Sequence, residues 1–323
     1  MNAPATSAPC PESRPGRTCP VSYRYSPRVF DRAPDLIAET LYVVGGLYGN
    51  LEALDALETL LAGDPGARVV FNGDFHWFDV EPSDFERLNA RVLAHGAIRG
   101  NVETEIAADA ADAGCGCAYP SEVSDEEVAL SNAIIERLRQ TARMLPAVRA
   151  GLASLPMHMT ARVGKARVGI VHGDAASLAG WGFAADRLGE PARRRWIDAA
   201  FRDARVDIFA STHTCLPAMR RIEHGAGSGL VANNGAAGMP NFAGTRFGLV
   251  TRIGTRPLEA RARLYGAHIG GVFVEAVRLD YDHARWLARF ERDWPAGSAA
   301  YRAYHRRIVE GPRFALAAEA RAA

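Results

Sequence analysis

Two short apolar runs near the front of the chain, TLYVV at 40–44 and ARVVF at 67–71, each stop at a glycine-bearing turn and lead into a segment of helical periodicity. Behind the first, Leu51, Leu54, Leu57 and Leu61 recur along one helix face, and Asn50 stands where a cap would close that helix. Behind the second, SDFERLNARVLAHG predicts a helix with Ser83 as its cap and Glu86 three residues on. AIRGN at 97–101 then reads as a short third strand. Strands separated by helices require parallel crossovers, so the pattern predicts an α/β core. From Glu103 to Asp125 the chain is small and polar, with Gly-Cys-Gly-Cys at 114–117, and a helix follows from about Glu126 to Met144. In the second half, MHMTARVG, KARVGIVHG, VDIFAST, GLVANNG, RFGLVTRIG and GVFVEAVRLD are strand-like, with one marked helical stretch, PARRRWIDAAFRDAR, among them. That density predicts a second sheet packed on the first. From Tyr281 the pattern is helical again, and Trp286, Phe290 and Trp294, four apart, predict a helix docking its apolar face. The expected organisation is a flexible start and packing arm over 1–37, a main domain over 38–280 and a helical extension over 281–323.

Composition narrows the function classes. The 323 residues are 48% hydrophobic, enough to bury a sizeable core. Thirty-eight basic against 37 acidic residues leave a net charge of +1, and so no broad positive field of the kind nucleic-acid binding uses. Arg193, Arg194 and Arg195, and later Arg306 and Arg307, read as solvated helix faces, and nucleic acid is not an expected partner. Five scattered cysteines, an odd number, fit a reducing compartment. The opening residues lack the apolar centre of a signal peptide, and no run reaches the ~18 apolar residues of a membrane span. The expected location is the cytoplasm, without membrane association.

Candidate chemistry lies at strand ends. Asp74 follows VVFNG, Asn101 follows AIRG, His172 follows VGIV and His213 follows DIFAST. The carboxyl ends of strands line the crevice of an open α/β sheet, so these four side chains are expected to meet there. A carboxylate, an amide oxygen and two imidazoles suit Mn²⁺, Fe²⁺ or Zn²⁺. Glycine accompanies three of the four, in Gly73-Asp74, Gly100-Asn101 and His172-Gly173, permitting close backbone approach.

With these residues in place, the chain resembles compact bacterial members of the calcineurin-like metallophosphoesterase family over about residues 38–255. The resemblance rests on GLYGNLEAL at 46–54, GDFHWFD at 73–79, GNVE at 100–103, VHGD around His172, THTCLP at 212–217 and NNGAAG at 233–238, in that order. It implies a four-layer α/β/β/α sandwich around a two-metal centre that hydrolyses phosphomonoesters or phosphodiesters. It also implies that Asp74 bridges the ions and that Asn101, His172 and His213 hold the second one. The first-metal side departs from the family pattern: Gly46 and Tyr48 stand at its Asp-x-His, Cys215 at its last histidine, and Val102 at the histidine that assists the leaving group.

The expected cofactor is therefore one divalent transition metal, Mn, Fe or Zn. A second ion is expected only if His76 and Cys215 rebuild the missing side with Asp74. Tyr48 is read as an aromatic filling the vacated space, or as a phenol that hydrogen-bonds phosphate. The thiols of Cys115 and Cys117 are one residue apart, closer than zinc-site spacing, and read as an ordinary loop. Trp77 and Phe78, and Trp181 with Phe183, are read as core residues by default or as walls of the cleft, and Arg99 as a group in a stabilising or surface pair or one that meets an anionic ligand bidentately. The catalytic candidates are Asp74, Asn101, His172 and Tyr48. The expected function is hydrolysis of a small phosphorylated molecule by metal-activated water. The alternative is a non-catalytic protein of the same fold that binds metal, a phosphorylated ligand or a protein partner. The C-terminal helices offer a surface for a homodimer.

Overall fold

The computed structural model describes residues 14–109, 112–225, 227–317 and 319. The start of the expected arm, with Cys10, lies outside the described residues, as do residues 320–323. The chain opens its first strands at β1 (Leu36–Ala38) and β2 (Thr40–Val44), then enters α1 (Leu51–Ala62). Asn50 caps α1 by accepting the Ala53 N–H at 2.8 Å. After β3 (Arg68–Phe71), α2 (Pro82–Leu93) begins one residue before the expected Ser83 cap. Pro82 occupies its first position, where a fixed φ is already helical and the missing N–H costs nothing. Beyond β4 (Gly96–Ala97) the chain turns at once into α3 (Asn101–Ala107), so the expected third strand is only two residues long. The small, polar stretch from Glu103 thus begins as helix.

Ser124 and Glu127 cap each other's backbone at the head of α4 (Asp125–Arg143), and α5 (Pro146–Ser154) follows. The second half supplies β5 (His158–Val163), β6 (Ala166–Val171), α6 (Arg194–Ala204), β7 (Ile208–Ser211), β8 (Pro217–His224) and β9 (Gly227–Asn234). It continues through β10 (Gly248–Gly254), β11 (Tyr265–Ile269) and β12 (Val272–Leu279) to α7 (His283–Asp293) and α8 (Ala299–Glu310).

The strands form two six-stranded mixed sheets, in the orders β11-β12-β10-β2-β3-β4 and β1-β5-β6-β7-β9-β8. Alternation along each strand divides the side chains between layers. Leu41 and Val43 of β2 meet Val168, Ile170, Ile208 and Ala210 between the sheets, while Tyr42 and Val44 face the helices outside. On the other outer face, Phe209 and Val231 pack against Phe201 and Ile197 of α6. The result is a four-layer α/β/β/α sandwich. Trp286, Phe290 and Trp294 are buried on the first helical layer, and the Trp294 indole donates to the Phe78 carbonyl at 2.9 Å. Full burial of such rings contributes about 1.5–3 kcal/mol each. No helix among the described residues is long and apolar enough to cross a membrane.

The topology fixes where chemistry can occur. Within one sheet β2, β3 and β4 run parallel, and within the other β6, β7 and β9 do. The carboxyl ends of β3 and β4 therefore meet those of β6 and β7 at one edge of the sandwich.

Candidate metal centre

Four side chains converge at that edge around His172 Nε2. Asn101 Oδ1 and His213 Nδ1 each lie 3.1 Å from it, and Asp74 Oδ1 lies 3.3 Å away. Among the described residues, Asp74, His172 and His213 form the one group of three or more His, Cys, Asp or Glu side chains whose ligand atoms lie within 4.8 Å of one another.

The outer contacts settle which lone pairs face inward. The carbonyl of Asn72 lies 2.8 Å from His172 Nδ1, and the carbonyl of Cys117 lies 3.1 Å from His213 Nε2. Carbonyls only accept, so those nitrogens carry the protons and the opposite nitrogens present lone pairs. The Asn101 amide donates to the Cys115 carbonyl at 2.9 Å and to Cys117 Sγ at 3.6 Å, which turns its oxygen inward. Four acceptors are therefore packed against one another. Burial opposes charge on both Asp74 and His172, yet their mutual contact outweighs it, holding the Asp74 carboxyl below and His172 above their ordinary values. Burial and then the His172 ring push His213 down to about 3. A proton on His172 Nε2 can answer only one of the three acceptors facing it, whereas a divalent cation answers all four. The donor set fits one such ion.

Backbone geometry presents Asp74. Its φ is +55°, sparsely populated for a residue with a side chain, and the strain is held by Glu103. The Glu103 carboxylate is fully buried and accepts the N–H groups of Asp74, Phe75 and Gly100 at 2.8, 2.9 and 2.8 Å. Burial first, and then the Asp74 charge, raises its pKa. Gly100 must be glycine, because a Cβ there would stand 2.3 Å from Asp74 Oδ1. The sequence reading gave Glu103 no role, although its place three residues after Gly100 is a capping spacing.

The residues at the departed positions are knitted to each other. Tyr48 has φ +57° and folds its ring over Gly46, where a Cβ would lie 2.7 Å from the phenol carbon. Its hydroxyl meets Cys215 Sγ at 2.9 Å, and Cys215 also has a left-handed φ of +60°. Tyr48 thus fills the space that a side chain at 46 would need and reaches the Cys215 thiol. Burial, with Cys215 and Asp74 adding to it, raises its hydroxyl pKa well above the ordinary value, so the phenol stays protonated.

The structure does not bring His76 to the cluster. Its Nδ1 pairs with Asp79 at 3.1 Å, its Nε2 faces Asn89 Oδ1 at 3.3 Å, and its ring stacks on Phe85 at 3.7 Å. Cys215 stands on the cavity wall with Tyr48, outside the cluster. Val102 offers no side-chain donor, though its N–H holds Asp74 Oδ1 at 3.1 Å. Arg99 donates to the Ala153 carbonyl, away from the site, and Cys19 lies beside Ser177. The loop at 115–117 contributes carbonyls and a thiol contact to Asn101 rather than metal-ligating sulfur. No residue-type signal marks backbone carbonyls in a sequence.

A cavity of about 300 Å³ opens over the cluster, with Asp74, Asn101 and His213 in its wall. Trp77 and Trp181 line it as well, in keeping with the cleft-wall reading, Trp77 being buried in the core at the same time, together with Tyr119, Tyr304 and Arg307. Phe78 and Phe183 stay buried in the core as expected.

Neither a protein-family profile nor a curated protein matches the sequence. Solved structures do. A hypothetical protein of Pyrococcus horikoshii OT3 superposes with a TM-score of 0.57 at 16% identity, covering 86% of this chain and 99% of that one. A metallophosphoesterase from Sphaerobacter thermophilus gives 0.51 at 17% identity, covering 84% of this chain and 100% of that one. These likenesses establish a metallophosphoesterase-type fold, and within it this chain carries a partial metal-ligand cluster.

Proposed function

We propose that the protein is a metal-dependent phosphoester hydrolase that uses one divalent ion, Mn, Fe or Zn, on a small phosphorylated molecule. The observation that carries this reading is the meeting of four inward lone pairs, from Asp74, Asn101, His172 and His213, at a cavity wall. A divalent ion held there supplies acidification of water and charge neutralisation at a phosphoryl group. Asn72 and the Cys117 carbonyl keep both imidazoles in the tautomer that leaves the inner nitrogens free. Glu103 fixes the Asp74 turn. Tyr48 keeps its proton and can turn it from Cys215 to a phosphoryl oxygen. Val102 supplies no acid for the leaving group, so esters with good leaving groups are favoured.

Protein loaded separately with Mn²⁺, Fe²⁺ or Zn²⁺ is expected to hydrolyse p-nitrophenyl phosphate or its diester faster than alkyl phosphates. Asp74→Asn is expected to lower that rate at least about 100-fold. Rates unchanged by Asp74→Asn would reject the reading. One observation favours a second reading, a binding protein without turnover: Tyr48 and Cys215 close the side where a second ion would stand. Metal-dependent ligand binding with no hydrolysis of any ester would select it.

A further inference from the structure

We infer that Arg307 of α8 is the anion-recognising group of the cavity, and that the ligand is a small phosphomonoester whose organic part is a planar ring. The inference rests on the metal-site reading for the placement of the phosphoryl group. Arg307 is the one lysine or arginine in the cavity wall among the described residues. One of its five N–H groups donates to the Cys215 carbonyl, and its Nε is buried without a partner. An unpartnered buried Nε also occurs at Arg99, Arg149 and Arg252, but none of these three lines the cavity, and arginines of the core and of the helical layer are paired with carboxylates. Arg139 meets Glu105 at 2.7 Å, Arg252 meets Glu275 at 2.8 Å, and Arg289 meets Glu52. No carboxylate among the described residues forms such a pair with Arg307.

The guanidinium is also near the chemistry. Its charge acts on Tyr48, Cys215 and Tyr304, in each case opposing the rise in pKa that burial causes. An arginine with free donors, beside a cation site in a partly dry wall, is matched by an anion that can reach both charges. A phosphoryl group can accept from the guanidinium with one oxygen and face the metal ligands with another.

The rest of the wall selects the organic part. Trp77, Tyr119, Trp181 and Tyr304 surround the cavity, Trp181 lying 5.9 Å from Tyr119 and Trp77 lying 6.2 Å from Tyr304 between ring centroids. Aromatic walls favour a flat ring over an aliphatic one of equal size, through edge and stacking contacts. At about 300 Å³ the cavity is at the small end of ligand pockets, which suits a monoester of one ring.

Calorimetry with non-hydrolysable probes tests this: phenylphosphonate, cyclohexylphosphonate and inorganic phosphate, titrated into the full chain with and without Zn²⁺. Wild type is expected to bind phenylphosphonate at least about 5-fold more tightly than cyclohexylphosphonate. Arg307→Gln is expected to weaken phenylphosphonate about 10- to 100-fold while zinc stoichiometry and melting temperature hold, and Arg307→Lys is expected to recover part of the loss. Equal binding by wild type and Arg307→Gln would overturn the role of Arg307, and equal binding of the two ring probes would overturn the planar-ring assignment. A loss of melting temperature in Arg307→Gln transfers the decision to Arg307→Lys, whose failure to bind better than Gln would overturn the anion role. If wild type takes up no zinc, the metal reading fails by itself, and the Arg307 comparison is decided in the zinc-free titrations.

Discussion

Replacing His172 and His213 together with alanine is expected to weaken Zn²⁺ binding by more than about 100-fold, because the two remaining donors, Asp74 and Asn101, are too few for a four-ligand site. The effect is large for a geometric reason. Both imidazoles are held in fixed tautomers by the carbonyls of Asn72 and Cys117, so their inner lone pairs are oriented before any ion arrives. Zinc is expected to raise the melting temperature of the wild type and leave the double variant unmoved, since only a ligand that binds the folded state stabilises it. Calorimetry and zinc-dependent melting check the pair of statements. A double variant that binds zinc as the wild type does would place the ion elsewhere.

Glu103→Ala is expected to destabilise the fold by about 3–5 kcal/mol, a loss as large as truncating a fully buried aromatic of the core. The carboxylate serves the N–H groups of Asp74, Phe75 and Gly100 at once, in a region with no exposed surface at Glu103 itself. Each buried donor left without a partner costs about 1–3 kcal/mol, and the relief of taking a buried charge away offsets part of the sum. The substitution also releases the left-handed turn at Asp74, so metal affinity is expected to fall with stability. Glu103→Gln keeps one accepting oxygen and is expected to lie between the two. Chemical denaturation of the three proteins measures the order; an alanine variant as stable as the wild type would remove Glu103 from this role.

Much of the centre was legible because its residues terminate apolar strands. Asp74, Asn101, His172 and His213 each follow such a run, and two parallel segments in two sheets bring the four ends together. Layer assignment was legible for the same reason, since strand alternation sends Leu41 and Val43 one way and Tyr42 and Val44 the other. What escaped depends on backbone angles or on long-range packing. His76 is two residues past Asp74, and an extended segment would have aimed it near the cluster; the left-handed turn at Asp74 carries it to Asp79, Asn89 and Phe85 instead. The contact of Tyr48, folded over Gly46, with Cys215 links residues 167 apart in sequence. Arg307 stood in the sequence as one of two arginines on a helix face, and only the docking of α8 over the cavity shows it facing the site. Ser83 lost the cap position to Glu81, with Pro82 opening the helix, a shift of two residues that leaves the site unaffected.

The central claim is a single ion on four named side chains. An anomalous-scattering map from crystals of the zinc-loaded protein tests it most directly. The account predicts one peak per chain, within bonding distance of Asp74, Asn101, His172 and His213. A second peak between Tyr48 and Cys215, or a single peak away from the four, would contradict it.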